Sequence, residues 1–155
     1  MIRAATPEDL DALVAGNVAM ALETENLRLD QNVLRAGVRA VLGGEVPGFY
    51  RVIEENGRVV AQLMITFEWS DWRAAMVWWI QSVYVWPTHR RRGLYGLLYA
   101  AVLAEARREG VAGIRLYVDS RNTAAQAAYS ALGMDGEHYR VFEAMLGPVS
   151  LHRPD

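Results

Sequence analysis

Three consecutive arginines stand in the middle of the chain, where a predicted strand gives way to a predicted helix. Arg90, Arg91 and Arg92 lead into Gly93, and a further glycine, Gly96, follows three residues later. The N–H groups that open a helix have no partner within it and carry partial positive charge, so they bind anions well. Glycine lacks a Cβ atom and lets an anion come close to the backbone. This stretch therefore predicts a phosphate-binding loop.

A second set of regularly spaced residues lies further along, on another predicted helix. Asn122, Ala125, Tyr129 and Gly133 stand at intervals of three or four residues. Because residues four apart share one helix face, Ala125 and Tyr129 point the same way. The small side chain leaves room for a thin ligand, and the phenol one turn later can reach the end of that ligand. Taken alone, the same spacing also fits an amphipathic helix with a tyrosine in the core.

Together the two motifs resemble the signatures of the GNAT superfamily of acetyl-CoA-dependent N-acetyltransferases. The loop of that family reads R/Q-x-x-G-x-G/A, and its helix motif reads N-x-x-A-x-x-x-Y-x-x-x-G. In this chain Tyr95 stands at the second small position of the loop, and Met134 replaces the usual phenylalanine after the helix. The motifs come in the family's order, separated by one strand and one helix, and the resemblance covers nearly the whole chain.

The resemblance implies that acetyl-CoA is the co-substrate. The absence of cysteine and the spacing of the histidines lead us to expect no metal. In this family the pantetheine arm pairs with the central strand, here at residues 83–85, and the diphosphate rests on the amides of the arginine loop. Asn122 would contact the arm, and Tyr129 would lie near the sulfur. The implied cofactor-binding residues are Val83, Tyr84, Val85, Arg90, Arg91, Arg92, Gly93, Leu94, Tyr95, Gly96, Asn122, Ala125 and Tyr129.

The absence of cysteine from the chain restricts how acetyl transfer can proceed. It excludes an acyl-cysteine intermediate and favours direct attack of an amine in a ternary complex. Such a transfer needs a neutral amine, a stabilised oxyanion and a stabilised leaving thiolate. A backbone N–H within residues 83–85 is the predicted oxyanion donor. Tyr129 is the candidate catalytic acid for the thiolate, and a phenol that merely packs is the alternative.

The base and the acceptor site belong, by the resemblance, to the side of the cleft opposite the cofactor. Some family members carry a glutamate on the central strand, whereas Gln81 and Ser82 stand there in this chain and cannot act as a carboxylate base. Either water relays the proton, or one of four acidic residues acts as the base: Glu23, Glu25, Glu68 or Asp71. Carboxylates beside indoles suit a cationic amine. The predicted acceptor-binding residues are Glu23, Glu25, Glu68, Asp71, Trp78 and Gln81.

We therefore predict an N-acetyltransferase for a small primary amine. A protein N-terminal or lysine acetyltransferase is the alternative within the enzyme class, and a non-catalytic acyl-CoA-binding module is the alternative outside it. The presence of both Asn122 and Tyr129 favours an enzyme, because a sensor needs no acid beside the sulfur. A homodimer is left open.

The composition of the chain argues against several other classes of protein. A net charge of −2 argues against a general nucleic-acid binder and makes the arginine cluster a local device. The three histidines lack metal-ligand spacing. There is no secretory signal and no apolar run of membrane-spanning length, so we expect a cytoplasmic protein with no membrane partner. A length of 155 residues predicts one domain over residues 1–155.

The pattern of apolar residues predicts the elements that position these motifs. We expect an α/β fold with a mixed sheet of six to seven strands and about four helices. The family resemblance implies that the central strands are splayed at the acyl-CoA cleft. The predicted helices span residues 7–22, 30–42, 93–109 and 121–132. The predicted strands span residues 2–4, 49–54, 59–67, 76–85, 114–118 and 139–145, and strand 114–118 should lie parallel to the central one because a crossover helix precedes it.

Overall fold

A computed structural model of the protein describes residues 1–146 and the backbone of residues 151–152. The strands are β1 (Ile2–Ala4), β2 (Arg28–Leu29), β3 (Phe49–Glu55), β4 (Arg58–Ser70), β5 (Ala75–Val85), β6 (Gly113–Arg115) and β7 (Leu151–His152). The helices are α1 (Leu10–Glu25), α2 (Gln31–Leu42), α3 (Leu94–Arg108) and α4 (Thr123–Ala131), with short 3-10 turns at Pro7–Asp9 and Pro87–His89. The α/β class and the four helices agree with the prediction.

The main sheet has five strands in the order β1-β3-β4-β5-β6. All neighbours are antiparallel except β5 and β6, which run parallel, as the crossover through α3 predicted. A separate ladder pairs β2 with β7. Across the described residues, no helix combines the length and the apolar character that crossing a membrane requires.

The predicted count of six to seven strands is wrong for this sheet. Residues 139–145 alternate in sequence like a strand, yet they form no strand in the structure. Their apolar side chains are not buried on either face of the sheet, and Phe142 is 92% exposed. Strand β6 is also shorter than predicted, because its pairing with β5 ends at Arg115. A strand needs a neighbouring strand to pair with as well as an alternating sequence pattern. The strand at this edge of the main sheet, β6, has only three residues.

Helices cover both faces of the sheet. Helix α3 presents Leu94, Leu98 and Val102, which recur every fourth residue and are buried against one face with Ile65 and Trp78. Helices α1 and α2 cover the other face, where Leu13 and Val38 meet Tyr50 and Val52. Burial of these stripes fixes both helix layers on the sheet, and with them the loops that flank the central strand.

Two helix ends bear on the site. Helix α1 continues to Glu25, past the predicted end at residue 22, and stops at Asn26, whose φ of 50° is left-handed. Helix α2 begins after Asp30, whose side chain accepts bonds from the N–H groups of Asn32 and Val33, as its N-cap position predicted. The last turn of α1 is therefore helical, and its Glu23 accepts a hydrogen bond from Tyr84 near the end of β5.

Candidate functional site

The arginine loop has an open backbone. Gly93 precedes α3 with a φ of 73°, and Arg91 has a φ of 60°, so the chain turns twice through left-handed geometry. Among the described residues no side chain caps α3, which leaves the first N–H groups of the helix to bind a ligand or water. A Cβ built on Gly93 would meet no atom within 4 Å, so this stretch of backbone is accessible from outside.

The three arginines of the loop differ in what they contact. Arg92 forms two bonds to Glu55, of 3.0 and 2.9 Å. Arg90 donates to Glu23 at 2.6 Å and to the carbonyl oxygen of Val85 at 2.9 Å. The side chain of Arg91 has no hydrogen-bond or ion-pair partner in the part of the chain that the structure describes. Arg91 is thus the cation of this loop that is available to an anion.

A cavity of about 350 Å³ opens beside this loop, and we call it the loop cleft. Its walls come from the end of β5, from the loop, from the first turn of α3 and from α4. The lining residues are Val85, His89, Arg90, Arg91, Gly93, Leu94, Tyr95, Gly96, Ala128, Ala131 and Leu132. A positive loop facing small apolar side chains suits a ligand that has an anionic end and a thin arm.

A second cavity, of about 230 Å³, lies where β5 and β6 part, and we call it the strand cleft. The last pair between these strands is Trp79 with Arg115, after which β5 continues to Val85 paired only with β4. Its lining residues are Met20, Thr24, Glu25, Ile80, Gln81, Ser82, Val83, Leu116, Tyr117, Val118, Asp119, Asn122 and Tyr129. The family resemblance implied that the central strands splay, and their pairing ends at this place.

A β-bulge shapes the floor of the strand cleft. Gln62 pairs with Tyr84 and Met64 pairs with Gln81, so Ser82 and Val83 together stand opposite one residue of β4. Ser82 takes a φ of 53°, which a non-glycine residue rarely adopts. The bulge interrupts the regular ladder of β5 in the segment that lines the cleft.

Tyr129 stands in the strand cleft on α4. Burial raises the pKa of its phenol, so the group holds its proton over a wider pH range than a free tyrosine. Asn122, also in this cleft, caps α4 by accepting a bond of 3.1 Å from the N–H of Ala125. Ala125 itself lines neither cleft, and the small residues that do so on this helix are Ala128 and Ala131.

Two predicted acceptor residues, Glu25 and Gln81, lie in the strand cleft. Gln81 donates to Thr66 at 2.5 Å. Glu25 forms no hydrogen bond or ion pair with any described residue, although its charge helps Asp119 to raise the pKa of Arg121. Its carboxylate is therefore free to meet a cation.

Four predicted acceptor residues lie elsewhere. Trp78 is 3% exposed and packs in the α3 core, so it cannot contact a ligand in the cleft. Glu68 accepts from Trp79 at 2.5 Å and pairs with Arg115 at 3.2 Å, which together lower its pKa. Asp71 belongs to the turn between β4 and β5. Glu23, the fourth, is held by Arg90.

Some lining residues escaped the sequence analysis. Met20 lies on α1 five residues before Glu25, and Tyr117 and Val118 follow the end of β6. Nothing local distinguishes them, because they reach the cleft only through long-range packing. The small residues Ala128 and Ala131 carry a usable signal, since they lie three apart on α4 and on one helix face.

Comparison with known proteins identifies the family. The family model of the Acetyltransferase (GNAT) family matches residues 21–134. A possible acetyltransferase from Clostridium difficile 630 is 40% identical, over 96% of this chain and 98% of that one, with a TM-score of 0.88. The chain belongs to the GNAT acetyltransferase family.

Two solved structures of lower sequence identity share the fold. AAC(6')-Iy, solved in complex with the bisubstrate analog CoA-S-monomethyl-acetylneamine, is 17% identical with a TM-score of 0.74, over 95% of this chain and 98% of that one. A predicted acetyltransferase from Clostridium acetobutylicum, solved with acetyl-CoA, is 18% identical with a TM-score of 0.74, over 92% of this chain and 95% of that one. No protein in the curated collection matches the chain.

Proposed function

We propose that this protein is an acetyl-CoA-dependent N-acetyltransferase that acts on a small primary amine. The observation that carries the proposal is the adjacency of the two clefts along one strand. Val85 lines the loop cleft and Val83 lines the strand cleft, two residues apart on β5. A ligand whose phosphates rest on the loop can therefore extend along β5 towards Tyr129. The two neighbours solved with CoA-containing ligands support acyl-CoA as the donor.

The residues of the loop cleft fit the diphosphate of CoA. The amides of residues 91–96 and the side chain of Arg91 would hold its charge, because the loop is open at Gly93 and α3 lacks a side-chain cap. Small residues of α4, Ala128 and Ala131, leave room for the pantetheine arm. When bound, acetyl-CoA supplies an activated thioester carbonyl.

The strand cleft contains groups suited to acetyl transfer to an amine. Burial raises the pKa of Tyr129 and keeps its phenol protonated, and this phenol is the proposed proton donor to the departing thiolate. Backbone N–H groups at the bulge, where Ser82 and Val83 leave the regular ladder, are the proposed donors to the oxyanion. Gln81 cannot act as a carboxylate base, and Glu23 and Glu68 are already paired with arginines. We propose that water in the cleft relays the proton from the amine to the solvent.

Glu25 is the proposed binding group for the acceptor. It lines the strand cleft from the last turn of α1 and has no hydrogen-bond partner among the described residues. A carboxylate in this setting attracts the ammonium form of a primary amine and raises its concentration beside the thioester. The modest volume of the cleft, about 230 Å³, favours a small molecule over a folded protein.

A panel of amines tests the proposal. The protein is mixed with acetyl-CoA and each amine, and release of free CoA is followed by a thiol reagent. We expect at least one small primary amine to accelerate release well above the rate without acceptor. Release that occurs only with peptides bearing a free N-terminus or lysine would contradict the acceptor class. Tight binding of CoA, with no amine that accelerates the release of free CoA from acetyl-CoA, would contradict the catalytic function.

A further inference from the structure

Glu23 joins the last turn of α1 to the end of β5 and to the arginine loop. Its Oε1 accepts from the hydroxyl of Tyr84 at 2.8 Å, and its Oε2 accepts from Nη2 of Arg90 at 2.6 Å. The Nε of Arg90 donates to the carbonyl oxygen of Val85 at 2.9 Å. The guanidinium also lies over the ring of Tyr84, 5.4 Å from its centroid. One carboxylate therefore joins α1 to the end of β5 and to the arginine loop, which lie 61 and 67 residues further along the chain.

This network lies between the two clefts. Arg90 lines the loop cleft, whereas Met20, Thr24 and Glu25, beside Glu23 on α1, line the strand cleft. The carboxylate of Glu23 connects Arg90 to the helical turn that carries Glu25. Tyr84 gives the network a fixed base, since it is only 5% exposed.

The contacts of Arg90 assign it a role different from that of Arg91. The guanidinium of Arg90 is engaged by Glu23 and Val85, both within the protein. Arg91 carries the free cation of the loop and lines the same cleft. The contacts of Arg90 link two segments of the protein, whereas Arg91 is placed to bind an anion.

We propose that Glu23 and Arg90 are positioning residues that couple CoA binding in the loop cleft to the placement of Glu25 in the strand cleft. The proposal rests on the proposed function of these clefts. A diphosphate bound to the amides of residues 91–96 would fix the loop, and the ion pair would then fix the last turn of α1. Because the pair is partly exposed, at 43% and 39%, we expect a modest coupling, of about twofold to fivefold in affinity.

Hydrogen exchange with CoA alone as the probe tests the coupling without any turnover. The parent is compared with Glu23→Gln, Arg90→Gln and the double variant. Arg35→Gln serves as the matched control, because Arg35 forms an equally short ion pair of 2.6 Å with Asp11 between α1 and α2, outside both clefts. Calorimetry of each protein with CoA is run in parallel.

We expect CoA to slow exchange in residues 21–27 of the parent and of Arg35→Gln. This protection should be lost in both single variants and, to the same extent, in the double variant, while their CoA affinity stays within about threefold of the parent. With an accepted amine, the acceptor KM should rise by about twofold to fivefold at unchanged kcat.

Two results would overturn the coupling. One is protection of residues 21–27 that persists in Glu23→Gln. The other is a loss of CoA affinity of more than tenfold in Arg90→Gln alone, which would make Arg90 a phosphate ligand. If the parent binds no CoA, calorimetry shows that the proposed function itself has failed. If the parent binds CoA without protecting residues 21–27, only the coupling fails.

Discussion

The ring of Tyr95 packs edge-on against the ring of Tyr129, with centroids 5.4 Å apart and planes inclined by 64°. Tyr95 belongs to the first turn of α3, beside the loop that would hold the phosphates, and Tyr129 belongs to α4 in the strand cleft. The contact therefore sets the position of the proposed acid relative to the phosphate end of the donor. The hydroxyl of Tyr95 is buried and has no hydrogen-bond partner among the described residues, so the contact is one of packing.

Removal of the Tyr129 hydroxyl tests the catalytic acid. We expect Tyr129→Phe to lower kcat by about 100-fold while CoA affinity stays unchanged, because the ring and its contact with Tyr95 are kept. Tyr99→Phe is the matched control, since Tyr99 lies near Tyr95 but lines neither cleft, and it should retain parental kcat. Parental kcat in Tyr129→Phe, when chemistry limits the rate, would reduce Tyr129 to a packing residue.

The pH dependence of kcat provides a second test of Tyr129. Burial raises its pKa above the ordinary tyrosine value, so the phenol remains protonated as the pH approaches about 10. The acid contributes below its pKa and is lost as the pH rises through it. We therefore expect the difference in kcat between the parent and Tyr129→Phe to persist up to about pH 10. Loss of that difference near pH 8 would contradict the assignment.

The glycine that precedes α3 can be tested against a glycine that follows the same helix. Gly93 and Gly110 have φ values of 73° and 70°, and a Cβ on either meets no atom within 4 Å. Valine strains both sites alike, but only Gly93→Val places a branched side chain beside the proposed diphosphate. We expect calorimetry to show CoA binding lost in Gly93→Val and kept in Gly110→Val. Equal affinity in the two folded variants would show that the loop is misassigned.

The arginines of the loop should contribute unequally to CoA binding. Arg91→Ala removes the cation that has no described partner, whereas Arg92→Ala removes one already paired with Glu55. We expect Arg91→Ala to weaken CoA binding by about fivefold and Arg92→Ala to change it by less than twofold. The difference for Arg91→Ala should shrink as salt is added. A larger loss for Arg92→Ala would reverse the assignment of the free cation.

The acceptor site can be tested with two carboxylates for which the sequence predicted the same role. Glu25 lines the strand cleft, and Asp71 lies in the turn between β4 and β5. We expect Glu25→Gln to raise the KM of an accepted amine by about tenfold without changing CoA affinity, and Asp71→Asn to leave both unchanged. If the two variants match the parent with every accepted amine, Glu25 does not bind the acceptor.

Much of the fold could be predicted because its signals are local. Pro87 ends the central strand, Asp30 caps α2, and the apolar spacing of α3 marks its buried face. The parallel pairing of β5 and β6 followed from the crossover helix between them. These signals sit within a few residues of the feature that they predict, so a single sequence suffices to read them.

The composition of the site depended on contacts that no local pattern encodes. Glu23 and Arg90 are 67 residues apart in sequence, and nothing in either segment specifies the ion pair. Alternation along β5 places Trp78 and Trp79 on opposite faces but does not say which face α3 covers, so Trp78 was assigned to the acceptor site and lies in the core. The bulge at Ser82 depends on its register with β4, which the sequence of β5 alone does not set.

The fate of a labelled acetyl group tests the central claim most directly. The protein is loaded with acetyl-CoA carrying an isotopic label in the acetyl group, and intact-protein mass spectrometry is performed before and after an accepted amine is added. Direct attack predicts an unlabelled protein at every time point and label that passes to the nitrogen of the amine in a single turnover. Label on the protein before the amine is added, or bound acetyl-CoA that no amine discharges, would contradict the account.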